Sequence, residues 1–420
     1  MTQRRRVVIL GGGTAGTAAA NRLRRRLDAS WEIVLVDRDD EHVYQPGLLL
    51  LPFDTYRPGQ LVRSRSSLVR DGVGLVLANV EGLDPAACRV DLADGNHLDY
   101  DYLVVATGTE PRPDQTPGMT GEQWRRSVFD FYTLPGAQAL RHKLAAWRGG
   151  RLVVHITDVP IKCPVAPLEF AFLADSFFAG RRMRQDVSIT FVTPLEGAFT
   201  KPIASERLGA MLAERDIALE PDFVVDRVDG EHRTLVSVDD RTVPFDLLVT
   251  VPLNMGARFL ADSGMGDELN YLPVDRHTLL SRKYDNVFGL GDAADIPASK
   301  AGSVAHFAVE LFAENFLQHA AGLPMTHLFD GHANCFVETG RGKAMLIDFN
   351  YDTEPLPGRY PLPRGGPFRL LEESRLNHLG KLAFRTAYWH VLLPGRPLPL
   401  PALMSLAGKQ LASEEDRPCP

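Results

Sequence analysis

Three short stretches of this chain carry residue types that can do chemistry. Gly11-Gly12-Gly13-Thr14-Ala15-Gly16 places glycines at 11, 13 and 16, the spacing G-x-G-x-x-G. Cys163 sits in Lys162-Cys163-Pro164, and Cys335 sits in Asn334-Cys335-Phe336-Val337-Glu338-Thr339-Gly340. The first pattern suits a dinucleotide. Gly11 makes a tight turn, Gly13 lets backbone approach a pyrophosphate, and Gly16 lets a helix pack closely on a strand. Thr14 and Ala15 complete the turn, and the N-terminal amides of the helix that follows attract phosphates. Asp37, twenty-one residues past Gly16, can accept hydrogen bonds from ribose hydroxyls. The second pattern suits thiol chemistry: a cysteine beside a lysine and just before a helix is placed where the thiolate is favoured. Glu169, six positions past Cys163, is a candidate base for a sulfur nucleophile. Spacing alone does not bring Cys335 to Cys163, because 172 positions separate them.

The elements that must hold these residues read as α/β. Arg6–Leu10 is a strand, Thr17–Leu27 a helix of Ala, Leu and Arg, and Glu32–Val36 a second strand, the order of a parallel βαβ unit. Gly72–Val80 and Tyr100–Ala106 read as further strands. A second α/β region opens at Arg151–Ile156. Leu168–Phe178 reads as a helix, Val187–Val192 as a strand, Ser205–Arg215 as a helix and Phe245–Val251 as a strand. Asn286–Leu290 is again a strand and Val304–Ala320 a helix. The expected architecture is two tandem Rossmann-like domains plus a C-terminal amphipathic helical region. Residues 1–115 and 280–325 form the first domain, 116–279 the second with Cys163, and 326–420 the C-terminal region with Cys335.

The second region lacks what the first has. After Arg151–Ile156 the chain reads Thr157-Asp158-Val159-Pro160-Ile161-Lys162-Cys163-Pro164, with no glycine between Leu152 and Ala179. A Cβ at each turn position blocks the close approach a pyrophosphate needs. The next strand ends Phe191-Val192-Thr193-Pro194, with no acid for a ribose. NAD(P)H is therefore a poor electron donor for this chain.

Composition narrows the class further. The 420 residues are 45% hydrophobic and 24% charged, ordinary for a globular protein. Net charge is -7, from 46 basic and 53 acidic residues, which argues against a nucleic-acid binder. Four cysteines are too few for a disulfide scaffold. No metal site is expected. No charge-free apolar run is long enough to span a bilayer. Arg4-Arg5-Arg6 is followed by only four apolar residues and then glycine, so it reads as a solvated lead-in to a strand and not as a signal peptide.

Two further apolar strands end in signatures. Leu103-Val104-Val105-Ala106-Thr107-Gly108 and Val287-Phe288-Gly289-Leu290-Gly291-Asp292 resemble the later FAD signatures of the two-dinucleotide-binding-domain flavoproteins. The resemblance implies non-covalent FAD, with Asp292 on the ribityl chain and Val80, Thr107, Gly108 and Gly291 among its contacts. Lys300 and Gly302 would lie where the helix Val304–Ala320 points its N-terminal dipole at the flavin and stabilises the anionic reduced form.

More specifically, Lys162-Cys163-Pro164-Val165-Ala166-Pro167, Cys335-Phe336-Val337-Glu338-Thr339-Gly340 and Ser374-Arg375-Leu376-Asn377-His378-Leu379-Gly380-Lys381-Leu382 look like segments of the sulfide:quinone oxidoreductase family. The resemblance extends to about residue 405. It implies a redox pair Cys163/Cys335 beside the flavin, sulfide as donor, quinone as acceptor, and sulfane sulfur or polysulfide as product. Many members carry a further cysteine where this chain has Ser127-Val128-Phe129-Asp130. A covalent flavin–cysteine link there and a three-cysteine relay are therefore excluded. Cys88 reads as structural and Cys419 as idle. The same residues admit other readings: oxidation of another sulfur species, a different acceptor as in flavocytochrome-type sulfide dehydrogenases, or a flavin sulfide sensor without turnover. A homo-oligomer stays open.

A quinone partner implies contact with the lipid surface as a peripheral, monotopic protein. Phe368–Leu393 interleaves Leu371, Leu376, Leu379, Leu382, Phe384, Tyr388 and Trp389 with Arg369, Arg375, Lys381 and Arg385, the pattern of an interfacial helix. Tyr388 and Trp389 suit the headgroup boundary. Leu398–Leu406 adds a second apolar patch, and Phe368 and Tyr388 are candidate quinone-wall aromatics.

Overall fold

A computed structural model describes residues 4–362, 366–397 and 400–411. Cys419, the tail from residue 412 and Leu398 lie outside the described residues. Two parallel five-stranded sheets form the body. The first has the order Val287–Gly289, Tyr102–Val105, Arg5–Leu10, Trp31–Asp37, Val73–Leu77. Its strands are near-continuous apolar runs because helices cover the sheet. Val7 to Leu10 and Leu103 to Val105 are completely buried. The second sheet has the order Val128–Phe129, Leu247–Val251, Gly150–Ile156, Val187–Val192, Ile217–Glu220.

Strand order decides what meets at the site. Arg5–Leu10 runs straight into the glycine turn and the helix Thr14–Arg26. Val287–Gly289 returns to the far edge of the same sheet and delivers Gly291, Asp292 and then the helix Gly302–Ala320. In the second sheet, Gly150–Ile156 leads through the loop bearing Cys163 to the helix Ala166–Gly180. That helix packs along Ala333–Gly340, an edge strand of a four-stranded third sheet and the carrier of Cys335.

Several boundaries differ from the sequence reading. The stretch 72–80 divides: Val73–Leu77 closes the parallel sheet, and Val80–Asp84 begins an antiparallel sheet with Arg89–Leu92 and His97–Asp99. The chain also returns to the first domain before residue 280. Asn254–Met255 pairs with Glu110–Pro111, Leu272–Pro273 pairs with Ala294–Asp295, and Leu260, Leu272 and Val274 join the core cluster of Val8 and Leu10. The stretch Phe368–Leu393 is not one helix. Phe368–Leu370 is a strand of the third sheet, and the helix is Arg375–Ala387, started by Ser374, whose hydroxyl accepts the Asn377 amide at 3.0 Å. Among the described residues, no helix is long and apolar enough to cross a membrane.

Candidate active site

The three sheets converge on a cavity that opens to solvent. Gly13, Thr14, Ala15, Thr107, Gly108, Gly291, Asp292, Lys300 and Gly302 line it, with Cys163, Glu169 and Tyr388. Gly11 and Gly16 stand just behind. A Cβ on Gly16 would lie 1.8 Å from the Gly11 carbonyl oxygen, and Gly11 itself has φ +95° with the Ala106 carbonyl 2.5 Å from any Cβ. Only glycine permits the turn. Asp37 accepts the Gly12 amide at 2.6 Å and faces Arg65 at 3.2 Å.

The cavity fits FAD. Two helices, Thr14–Arg26 and Gly302–Ala320, begin at its wall, and neither has a side-chain cap. Their first-turn amides are free to bind anionic oxygens. A Cβ on Gly13 or Gly302 would meet nothing within 4 Å, so open space lies against both turns. Thr107 Oγ1 is buried without a partner. Lys300 Nζ donates to the carbonyls of Asp292 (2.8 Å) and Ala294 (3.2 Å), bracing the Gly-Asp turn from within. Burial pulls its pKa down, and the Asp292 charge opposes that.

Both cysteines are tied to one segment, Lys300–Ser303. The Cys163 amide donates to the Lys300 carbonyl at 2.6 Å. The Ser303 hydroxyl accepts the amide of Asn334, the residue before Cys335, at 3.3 Å. The thiols are close enough that ionisation of Cys335 raises the pKa of Cys163. Both are free thiols. Cys163 holds a left-handed φ of +51°, uncommon for a residue with a side chain and worth about 1–2 kcal/mol of local strain.

The thiolate expectation needs correction. Lys162 turns its Nζ to Gln45 Oε1 at 2.9 Å, not to sulfur. Burial, then the Glu169 charge, push the Cys163 thiol well above its ordinary range, and Lys381 only partly opposes them. Burial and Glu169 likewise push Cys335 up to about 12. Both shifts favour the neutral thiol over the thiolate.

Glu169 is not a surface helix carboxylate. It is 0% exposed, ion-paired with Lys381, and accepts the Glu338 amide at 2.6 Å through Oε1. Oε2 has no partner. Burial raises its pKa against the opposing charge of Lys381. Burial alone would lower Lys381, but Glu169 and Glu338 outweigh it and hold the ammonium above its ordinary value. Lys381 lines the cavity and also donates to the Phe336 carbonyl at 2.9 Å. The sequence pattern assigns Lys381 to the basic side of an interfacial helix; instead it turns inward to Glu169, because nothing local in the sequence ties it to residue 169. Gln45, Pro46 and Tyr132 also line the cavity unforeseen.

Four sequence expectations fall elsewhere. Val80 packs on the core of the antiparallel sheet and does not line the cavity. Phe368 packs edge-on against Phe336, ring centres 5.2 Å apart, also outside the lining. Tyr388 and Trp389 are buried, at 1% and 4% exposure, so they do not sit at a headgroup boundary. They are drawn inward by Tyr44 and His42, against which they pack.

The sequence matches the family model "Pyridine nucleotide-disulphide oxidoreductase" over residues 5–310. The mitochondrial sulfide:quinone oxidoreductase of Dictyostelium discoideum is 27% identical over 397 residues, covering 93% of this chain and 86% of that protein. The mitochondrial sulfide:quinone oxidoreductase of Mus musculus is 24% identical with the same coverage. Among solved structures, the sulfide:quinone oxidoreductase of Aquifex aeolicus superposes with a TM-score of 0.77 at 20% identity, covering 93% of this chain and 92% of that one, a likeness of fold. The chain belongs to the pyridine nucleotide-disulphide oxidoreductase family and is an FAD-binding oxidoreductase.

Proposed function

We propose that this protein is a sulfide:quinone oxidoreductase that works through Cys163 and Cys335. The observation that carries this reading is the binding of both cysteine segments to Lys300–Ser303, the same segment that starts the flavin-edge helix. The second Rossmann unit supports it from the negative side, because its turn offers a thiol in place of a nucleotide cradle.

The pair in its oxidised form is a disulfide, or a bridge holding extra sulfur. Hydrosulfide attacks one sulfur of that bridge. One S–S bond forms and one breaks, leaving a persulfide on one cysteine and a thiolate on the other. The buried ammonium of Lys381 supports the negative charge that this creates, and its pairing with Glu169 keeps it in place. Glu169 Oε2, unpartnered and raised in pKa, accepts the proton of hydrogen sulfide or of the persulfide. A carboxylate lifted toward neutrality is the more effective base for that step. FAD, when bound, supplies a two-electron acceptor whose electrons pass to quinone. Re-forming the cysteine bridge is a two-electron oxidation for which the flavin would be the acceptor, and a second hydrosulfide takes up the persulfide's outer sulfur and leaves as polysulfide.

The quinone side requires a lipid-facing surface. The helix Arg375–Ala387 exposes Leu376 (45%) and Leu379 (57%), and Leu403, Leu406 and Leu411 add apolar surface from the following segment. Arg375 is exposed beside them. This face is our assignment for peripheral contact with the bilayer.

The test is an anaerobic titration with sulfide followed by a short-chain quinone, reading flavin absorbance. Bleaching by sulfide and recovery on quinone support the reading. Bleaching by NADH and not by sulfide would overturn it.

A further inference from the structure

The C-terminal segment touches the FAD cavity at a place the proposed reaction does not use. After the helix Arg375–Ala387 the chain makes one π-helical turn, Tyr388–Leu392, a geometry that is rare and recurs at functional positions. This turn and the next residues run along the helix Thr14–Arg26 and bond it at its start, middle and end. The Tyr388 hydroxyl lies 2.9 Å from Thr14 Oγ1. Asn21 Nδ2 donates to the Leu393 carbonyl at 2.7 Å, and Arg25 Nη2 to the Pro394 carbonyl at 3.1 Å. Gly395 has φ +67°, and a Cβ there would come 2.9 Å from the Arg22 amide nitrogen, so the chain lies directly on the helix.

The hydrogens of the first contact have one arrangement. His42 Nδ1 is 3.0 Å from the Gly12 carbonyl oxygen, which only accepts, so Nδ1 carries the hydrogen. Burial, reinforced by Arg65, pulls His42 down to about 4, so the ring is neutral and Nε2 is an acceptor. The Tyr388 hydroxyl, 2.7 Å from Nε2, therefore donates to it. Its oxygen in turn accepts the hydroxyl hydrogen of Thr14. The chain runs from Thr14 to Tyr388 to His42 to Gly12, beginning and ending on the glycine turn.

We propose that residues 388–395 form a strap that is part of the FAD site, with Tyr388 the positioning residue that holds the glycine turn in its phosphate-binding shape, so that FAD occupancy and strap docking favour each other. If the docked strap favours FAD, bound FAD favours the docked strap by the same factor. The strap continues the helix that carries Lys381, so FAD also steadies the cation that pairs with Glu169. The inference rests on FAD binding alone and stands whatever the electron donor and acceptor are.

Two measurements test it. Titration of flavin-stripped protein with FAD, followed by quenching of flavin fluorescence, is expected to show Tyr388→Phe binding about tenfold more weakly, the scale of one to two lost hydrogen bonds. Arg25→Ala, which cuts only the far end of the strap, loses affinity in the same direction by a smaller factor. Hydrogen exchange on the unsubstituted protein needs no variant to fold, and the amides of 388–395 are expected to be more protected with FAD than without. Unchanged FAD affinity in Tyr388→Phe, or equal protection of 388–395 in the two forms, would overturn the proposal.

Discussion

The two Rossmann halves share a plan and differ at one loop. Each has a parallel five-stranded sheet whose central strand leads through a turn into a helix. In the first half the turn is stripped of side chains, and a Cβ on Gly16 would meet the Gly11 carbonyl at 1.8 Å. In the second half the corresponding loop, 157–165, is filled with side chains. It places Cys163 at the cavity wall and anchors itself through the Lys162 amide to Asn254 Oδ1 at 3.2 Å. The same scaffold thus offers free amides on one side and a thiol on the other. Chemistry follows from whether the turn residues carry a Cβ, and sheet topology is neutral to the choice.

The sharpest way to break this contrast is to give the first turn what the second has. Gly16→Val is expected to abolish FAD binding, read as loss of flavin absorbance from the purified protein. The reverse change, Ala166→Gly at the start of the second helix, is expected to leave FAD bound and to confer no reduction by NADH. Next in size, Cys163→Ser should keep FAD but lose flavin bleaching by sulfide. Normal bleaching in that variant would sink the thiol half of the comparison.

Glu169→Gln is expected to slow sulfide-driven bleaching by about 10²-fold, the lower range for removing a general base. The unsubstituted protein should gain rate as pH rises through the Glu169 pKa, which burial places above the ordinary carboxylate range. The glutamine variant should lack that acid limb. A profile identical to the unsubstituted protein's would remove Glu169 from proton transfer. Lys381→Met leaves the Glu169 charge buried without its partner and should cost about 3–5 kcal/mol of stability, measured by urea unfolding. The smallest effect is expected at the surface. Leu376→Ser with Leu379→Ser should lower binding to anionic lipid vesicles several-fold while shifting stability by less than about 0.5 kcal/mol.

The local parts of the site were legible because each depends on a few consecutive residues. The glycine turn, Thr107-Gly108 and Gly291-Asp292 each follow an apolar strand and land on the cavity. The loop with Cys163 was legible for the same reason, as a strand-to-helix turn lacking glycine. What failed was any inference about environment. Lys162 beside Cys163 in sequence points to Gln45, while Lys381, 218 positions from Cys163, is the cation that acts on the thiol. Glu169 is six positions from Cys163 on a helix, but its burial is set from outside that helix: the edge strand of the third sheet covers that face. Tyr388 and Trp389 had the composition of a membrane boundary, yet the wide turn at 388–392 folds them inward against His42 and Tyr44.

The dinucleotide cradle can be read from the chain alone, since steric permission at a turn is a property of the residues in that turn. The pairings come from packing: Cys163, Glu169, Lys381 and Tyr388 meet at the cavity wall, and Cys335 stands behind it, near enough to act on Cys163. Those meetings depend on how a third sheet and a C-terminal strap pack on two finished Rossmann units, and packing between segments hundreds of residues apart leaves no periodic trace in the chain.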